Sequence, residues 1–209
     1  MESSLEVFKS LEATGVQIDI SGIDNIRPED GPVVIVGNHM SMMETLILPV
    51  ILQPIRDVTF VVKESLLSYP VFKHVMRSRN PVAVTRTNPR QDFKIVMSEG
   101  CERLKNGTSV IVFPQTTRSH SFDSEQMSSI AVKLAKKAQV PIVPLALKTD
   151  AWQNGRKFKD FGTLDLEKTA YFSFGQPIVV ETKGDTEQAA VNSFIEKKLE
   201  EWKGIKLIP

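Results

Sequence analysis

Two runs of four consecutive apolar residues, Val33-Val34-Ile35-Val36 and Val110-Ile111-Val112-Phe113, constrain this chain more than anything else in it. A strand with water on one face alternates apolar and polar side chains. A strand apolar on both sides must be covered on both, as in a parallel sheet flanked by helices. Further β-branched runs at 16–20, 58–62, 81–85, 142–148 and 170–175 bring the expected strands to about seven. Helical patterns lie between them. Asn88-Pro89 supplies a cap and a proline at the first helical position; Phe93, Val96, Met97, Gly100, Cys101 and Leu104 share one face; Asn106-Gly107 ends the helix. A helix is expected from about 124 to 138 with Met127, Ala131, Leu134 and Ala138 in line. Another over about 185–203 buries Val191, Phe194, Ile195, Leu199 and Trp202. Such alternation predicts an α/β fold, one domain over 1–209 whose largely parallel or mixed central sheet is flanked by helices.

Composition agrees with a single globular unit. The 209 residues are 41% hydrophobic and 24% charged, ordinary values that exclude disordered and fibrous classes. The one cysteine, Cys101, forms no internal disulfide and no zinc ligand set, which excludes a stapled secreted module. No apolar run reaches the roughly 20 residues that span a bilayer, and residues 1–10 do not read as a signal peptide, so a soluble or peripheral protein of the cytoplasm is expected. Charge is uneven although 26 basic and 25 acidic residues nearly cancel. Residues 1–30 carry seven acids against Lys9 and Arg27, whereas 63–90 carry six basic residues against Glu64 alone. Residues 133–159 carry seven against Asp150. A basic middle suits an anionic ligand or surface, and a solvated mixed surface accounts for it equally well. No nucleic-acid partner is expected.

Of the three histidines, His74 and His120 read as surface or loop residues. His39 directly follows an apolar strand and precedes an apolar helix, the place where open α/β sheets put ligands. Glu44, five positions on, falls in the first turns of that helix, where a carboxylate can reach back and hold one imidazole tautomer. Spacing alone equally allows a helix-capping histidine beside an unrelated glutamate. A second loop, Phe113-Pro114-Gln115-Thr116-Thr117-Arg118-Ser119, again follows an apolar strand and gathers an amide, hydroxyls and a guanidinium suited to phosphate. In a parallel arrangement both loops open on one edge. Ser41 lacks the Gly-x-Ser-x-Gly elbow of serine hydrolases.

Four blocks then carry a resemblance. Asn38-His39-Met40-Ser41-Met42-Met43-Glu44 resembles the first block of the glycerolipid acyltransferases, Asn-His, four residues, Asp. The stretch from Lys63 through Pro70 to Arg86 is similar to the second, the 113–119 loop to the Phe-Pro-Glu-Gly-Thr-Arg-Ser block, and Val140-Pro141-Ile142-Val143-Pro144-Leu145 to the fourth. The blocks arrive in family order over roughly residues 16–180, and the helix near 185–203 follows them.

The resemblance implies transfer of a fatty acyl group from acyl-CoA or acyl carrier protein to the hydroxyl of a lysophospholipid-type acceptor, as in the 1-acylglycerol-3-phosphate acyltransferases. It implies His39 as general base, Glu44 as its orienting carboxylate, and Gln115, Thr116, Thr117 and Arg118 as acceptor contacts, with Arg86 and Lys63 assisting. It implies no metal and no cofactor beyond the thioester co-substrate. Departures are Glu44 for the family aspartate and Gln115-Thr116 for Glu-Gly; they motivate an alternative, a lipid-binding or regulatory protein that retains the fold. Peripheral contact with an anionic membrane is expected through residues 66–79, where Leu66, Leu67, Tyr69, Val71 and Phe72 lie beside Lys73, Arg77 and Arg79.

Overall fold

The computed structural model describes residues 2–27, 30–68, 77–115, 117–155, 162–181 and 183–203. Both apolar runs become interior strands of a seven-stranded sheet: β2 (Val34–Gly37) lies between β5 (Ser109–Val112) and β6 (Ile142–Lys148). Beyond β5 come β3 (Val58–Lys63) and β4 (Val82–Val84); beyond β6 come β7 (Ala170–Phe174) and the edge strand β1 (Ile18–Ser21). The order is β1-β7-β6-β2-β5-β3-β4. Strands β2 to β6 run parallel, with Val36 opposite Val112 on one side and Pro144 on the other. The sheet is mixed because β7 runs antiparallel to β6 and carries β1 parallel to itself.

Period-two alternation divides the core into two layers. Val34, Val36, Val110 and Val112 face one layer, completed by α3 (Pro89–Lys105), α4 (Ile130–Ala138) and α5 (Asp185–Lys203). Val33, Ile35 and Ile111 face the other, completed by α1 (Glu2–Ala13) and α2 (Met43–Leu52). Helix α3 starts as its caps predict: the Asn88 side chain accepts the Gln91 N–H and Pro89 follows. Gly100 lets α4 close onto it, since a Cβ there would stand 2.9 Å from Leu134 Cδ1.

Three local expectations change. The helix expected over 124–138 is broken. Asp123 caps a 3₁₀ turn, Ser124–Gln126, Met127 then turns extended and enters the core, and the α-helix begins at Ile130. Phe93 is 40% exposed beneath the Lys133 ammonium rather than part of the buried face. Helix α1 was not among the expected helices; it packs Leu11 with Val7 and Phe8 into the second layer. Of the segment 66–79, residues 69–76, including Tyr69, Val71, Phe72, Lys73 and His74, lie outside the described residues. Leu66 and Leu67 pack in part against the second layer, Arg77 is exposed, and Arg79 donates to Ser4 Oγ at 2.8 Å. Burial pushes the Arg79 guanidinium below its ordinary pKa. Among the described residues no helix is long and apolar enough to cross a membrane.

Candidate active site

Because β2 to β6 are parallel, the loops that follow them open on one edge, and six of the eight candidate residues of the sequence lie in those loops or their first helical turn. Lys63, the last residue of β3, is on the same edge, and Thr116 lies outside the described residues. The edge is built outward from Asn38. Its buried side chain donates to the Leu147 carbonyl at 2.8 Å and accepts the Leu147 N–H at 2.8 Å. These two bonds continue the β2–β6 pairing one residue past the end of the backbone ladder, so the chain arrives at His39 already anchored.

His39 then meets Glu44 through Nδ1 and a carboxylate oxygen, Oε2. An ionised carboxylate only accepts, so Nδ1 carries the proton and the neutral ring keeps its lone pair on Nε2. Glu44 is fully buried, a position that costs several kcal/mol unless donors surround the charge. They do. Oε1 accepts the Met40 N–H at 2.8 Å, the Ser41 N–H at 2.9 Å and the Thr149 hydroxyl. The first two are N–H groups ahead of α2, reached by a side chain in its first turn, and that same turn places the carboxylate at the favourable end of the helix dipole. The extra methylene relative to aspartate is taken up by this reach back.

The second loop grips the histidine from both sides of its backbone. Gln115, itself buried, accepts the His39 N–H on Oε1 at 2.7 Å, and the Ser119 N–H donates to the His39 carbonyl at 2.9 Å. Phe113 lies flat against the imidazole, ring centroids 4.5 Å apart and planes within 5°. The ring is thereby fixed by a carboxylate at one edge and an aromatic face, while 16% of the side chain stays accessible.

The remaining candidates differ in how closely they are held. Thr117 is exposed and Arg118 half-buried within the same loop. Arg86 follows β4 in the left-handed region at φ 62°, a strained conformation for a side-chain-bearing residue. Asp92 holds it there, accepting the Arg86 N–H at 2.8 Å and the Thr85 N–H at 2.8 Å. Partial burial pushes the Arg86 guanidinium below its ordinary pKa, with the Asp92 charge acting against the shift. Arg86 and Gln115 line a common cavity of about 330 Å³, together with Lys133 and apolar Val84, Phe93 and Phe113. Lys63 is exposed. His120 is exposed too, near the Asn154 amide.

Sequence reasoning passed over Thr149 and Asn154. The Asn154 amide donates to the Met40 carbonyl at 3.2 Å, so the segment after β6 braces the histidine loop as well. The sequence signal that could have found Thr149 is a hydroxyl residue directly after the strand run 142–148; its complete burial is seen only in the structure. Among the described residues no group of three or more His, Cys, Asp or Glu side chains converges.

Comparison with known proteins bears on the family and the fold. A family model described as Acyltransferase matches residues 17–148, which contain every candidate residue. A 1-acyl-sn-glycerol-3-phosphate acyltransferase of Pseudomonas aeruginosa is 33% identical over 132 residues, covering 63% of this chain and 49% of that protein. The chloroplastic 1-acyl-sn-glycerol-3-phosphate acyltransferase BAT2 of Brassica napus is 31% identical over 129 residues, covering 62% of this chain and 36% of that protein. The match thus spans about half of the first relative and about a third of the second. The crystal structure of the 1-acyl-sn-glycerophosphate (LPA) acyltransferase PlsC from Thermotoga maritima superposes with a TM-score of 0.70 at 24% identity, over 99% of this chain and 84% of that one; the likeness is one of fold.

Proposed function

The chain belongs to the acyltransferase family, and from that premise we propose that it transfers a fatty acyl group from a thioester, acyl-CoA or acyl carrier protein, to the hydroxyl of a lysophospholipid such as 1-acylglycerol-3-phosphate. His39 accepts the acceptor's hydroxyl proton on Nε2 as the oxygen attacks the thioester carbonyl. A C–O bond forms, the C–S bond breaks, and the proton leaves His39 for the departing thiolate. Glu44 holds the ring in the Nδ1–H tautomer and faces the positive charge the imidazole carries between those transfers. No residue becomes acylated. Arg118 grips the acceptor's phosphate with its planar fork, and Arg86 and Lys63 add positive charge along the same edge.

The observation that carries this reading is the His39–Glu44 pair, buried at the carboxylate, open at the imidazole and clamped by Gln115 from the second loop. Glu44 and Gln115, two of the departures that motivate a binding-only protein, both engage His39 directly, which favours a working base. The test is thiol release from acyl thioesters with a panel of lysolipids. Wild type turns over a phosphorylated acceptor and His39→Ala loses about 10²–10⁴-fold. Turnover indifferent to that substitution overturns the mechanism. Absence of turnover with every acceptor, alongside co-purified lipid, establishes the binding-only alternative.

The proposed substrates are amphiphiles, and we place the reaction at a cytoplasmic membrane surface reached peripherally through residues 66–79, within the basic stretch 63–90. Vesicle flotation then depends on anionic lipid and weakens with added salt, because exposed charges are screened beyond about 8–10 Å near physiological ionic strength. Equal binding to neutral vesicles at any salt removes the electrostatic contribution.

A further inference from the structure

Behind the His39–Glu44 pair two hydroxyls are buried completely, Ser41 and Thr149. A hydroxyl has one proton to donate, so its accepted bonds decide where that proton goes. The Ser41 Oγ accepts the Met43 N–H at 3.2 Å, from the first residue of α2. It donates to Thr149 Oγ1 at 3.0 Å, and Thr149 Oγ1 donates in turn to Glu44 Oε1. The chain of donation therefore has one direction, from the helix backbone to the carboxylate, and each bond polarises the next. With the Met40 and Ser41 N–H groups, it gives Oε1 three donors and leaves Oε2 to His39.

We infer that Thr149 is a positioning residue for the acyl transfer proposed above: its hydroxyl, aimed by Ser41, holds Oε1 so that Oε2 alone faces the imidazole. A glutamate has one more torsion than an aspartate. Two backbone donors at successive positions leave its carboxylate a pivot, and a third donor from the residue just after β6 removes it. The residue is thus specific to a glutamate at position 44. In Glu44→Asp the carboxylate is one methylene shorter and withdraws from Thr149, so the two positions act as a unit.

The experiment uses the full chain and two readouts. One is steady-state thiol release. The other is nitrogen-15 NMR of the neutral His39 imidazole, which reports its tautomer whether or not any thioester is turned over. In Thr149→Val, isosteric and without the donor, kcat falls about tenfold with KM for thioester and acceptor within about twofold. The His39 signals pass from one Nδ1–H tautomer to a mixture, and Thr149→Ser restores both readouts. In a Glu44→Asp background, Thr149→Val costs less than about twofold. A folded Thr149→Val protein that keeps the single tautomer overturns the inference, as does an equal loss in both backgrounds. Should Thr149→Val not fold, Ser41→Ala leaves the Thr149 hydroxyl present but unaimed and is judged by the same tautomer criterion. A wild-type chain without turnover overturns the acyl-transfer reading, while the tautomer still decides the role of Thr149.

Discussion

The loop after β2 and the loop after β5 build one site by opposite means. In the first, the Asn38 side chain completes a strand ladder, and the Glu44 carboxylate, out of water, meets two backbone N–H groups, the Thr149 hydroxyl and the His39 ring among the described residues. In the second, Gln115 is bonded inward to His39, while Thr117 is exposed and Arg118 half-buried. The proposed proton transfer needs atoms held within tenths of an ångström, and the first loop is held by many internal bonds. The second loop is tied to the fold at both ends, by Gln115 and by Ser119, and between them Thr117 and Arg118 are the groups proposed to meet the acceptor. On the proposed function, the first loop holds a rigid reacting pair and the second a contacting surface.

The largest test of that division is Glu44→Gln. The amide keeps the size, loses the charge that faces the imidazolium, and offers a donor where His39 needs an acceptor. Turnover is expected to fall roughly 10²-fold with acceptor KM nearly unchanged, the pattern of a contribution confined to the transition state. An equally large rise in KM breaks the division, because the first loop would then also bind substrate. Next comes Arg118→Ala, expected to lose a charge-assisted contact of about 1.5–3 kcal/mol, seen in kcat/KM for a phosphorylated acceptor. Arg118→Lys recovers part, since a point charge does not reproduce a bidentate fork. A phosphorylated acceptor used equally well by Arg118→Ala ends the phosphate role.

The smallest effect belongs to a carboxylate one residue past Thr149. Asp150 is held by lysines rather than by neutral donors, Lys148 at 2.9 Å and Lys168 at 3.1 Å. Partial burial acts to raise its pKa, and the two lysines together outweigh burial and hold it below the ordinary 3.8. A depressed folded-state pKa stabilises above the unfolded value and is lost as pH falls through the folded one. Asp150→Asn is therefore expected to lower the melting temperature slightly at neutral pH, with the difference from wild type closing below about pH 4. A gap that persists under acid assigns Asp150 a packing role instead. Arg103 is half-buried and pairs with half-buried Glu99 and exposed Glu102 at 3.8 and 3.5 Å, contacts open to solvent and of little energetic weight.

Local chemistry explains which features were readable in advance. Apolar runs mark strands because a side chain's cost of exposure does not depend on its partners, and all seven strands overlap their expected positions. The helix after Asn88 was readable because its cap and proline act within one turn. The break after Gln126 was not, since continuous periodicity hides an extended residue that the core pulls inward at Met127. Helix α1 carries Leu5, Phe8 and Leu11 at helical spacing, a narrow apolar stripe among Glu2, Glu6, Lys9 and Glu12.

His39 and Glu44 lie five residues apart on a strand-to-helix turn, so the sequence by itself determined that they come within reach, because helix geometry brings a first-turn side chain back to the preceding residues; that they bond is what the structure adds. It also determined that two polar loops follow two buried strands. Strand order decided the rest. Only because β6 lies beside β2 do Leu147 and Thr149 arrive within bonding distance of Asn38 and Glu44, and only because β5 lies on the other side does Gln115 reach the His39 N–H. Those contacts cross 76 to 109 residues of sequence. No local pattern encodes them, because a hydrogen bond depends on tenths of an ångström that are set by how two core layers pack, and packing is a property of the whole chain.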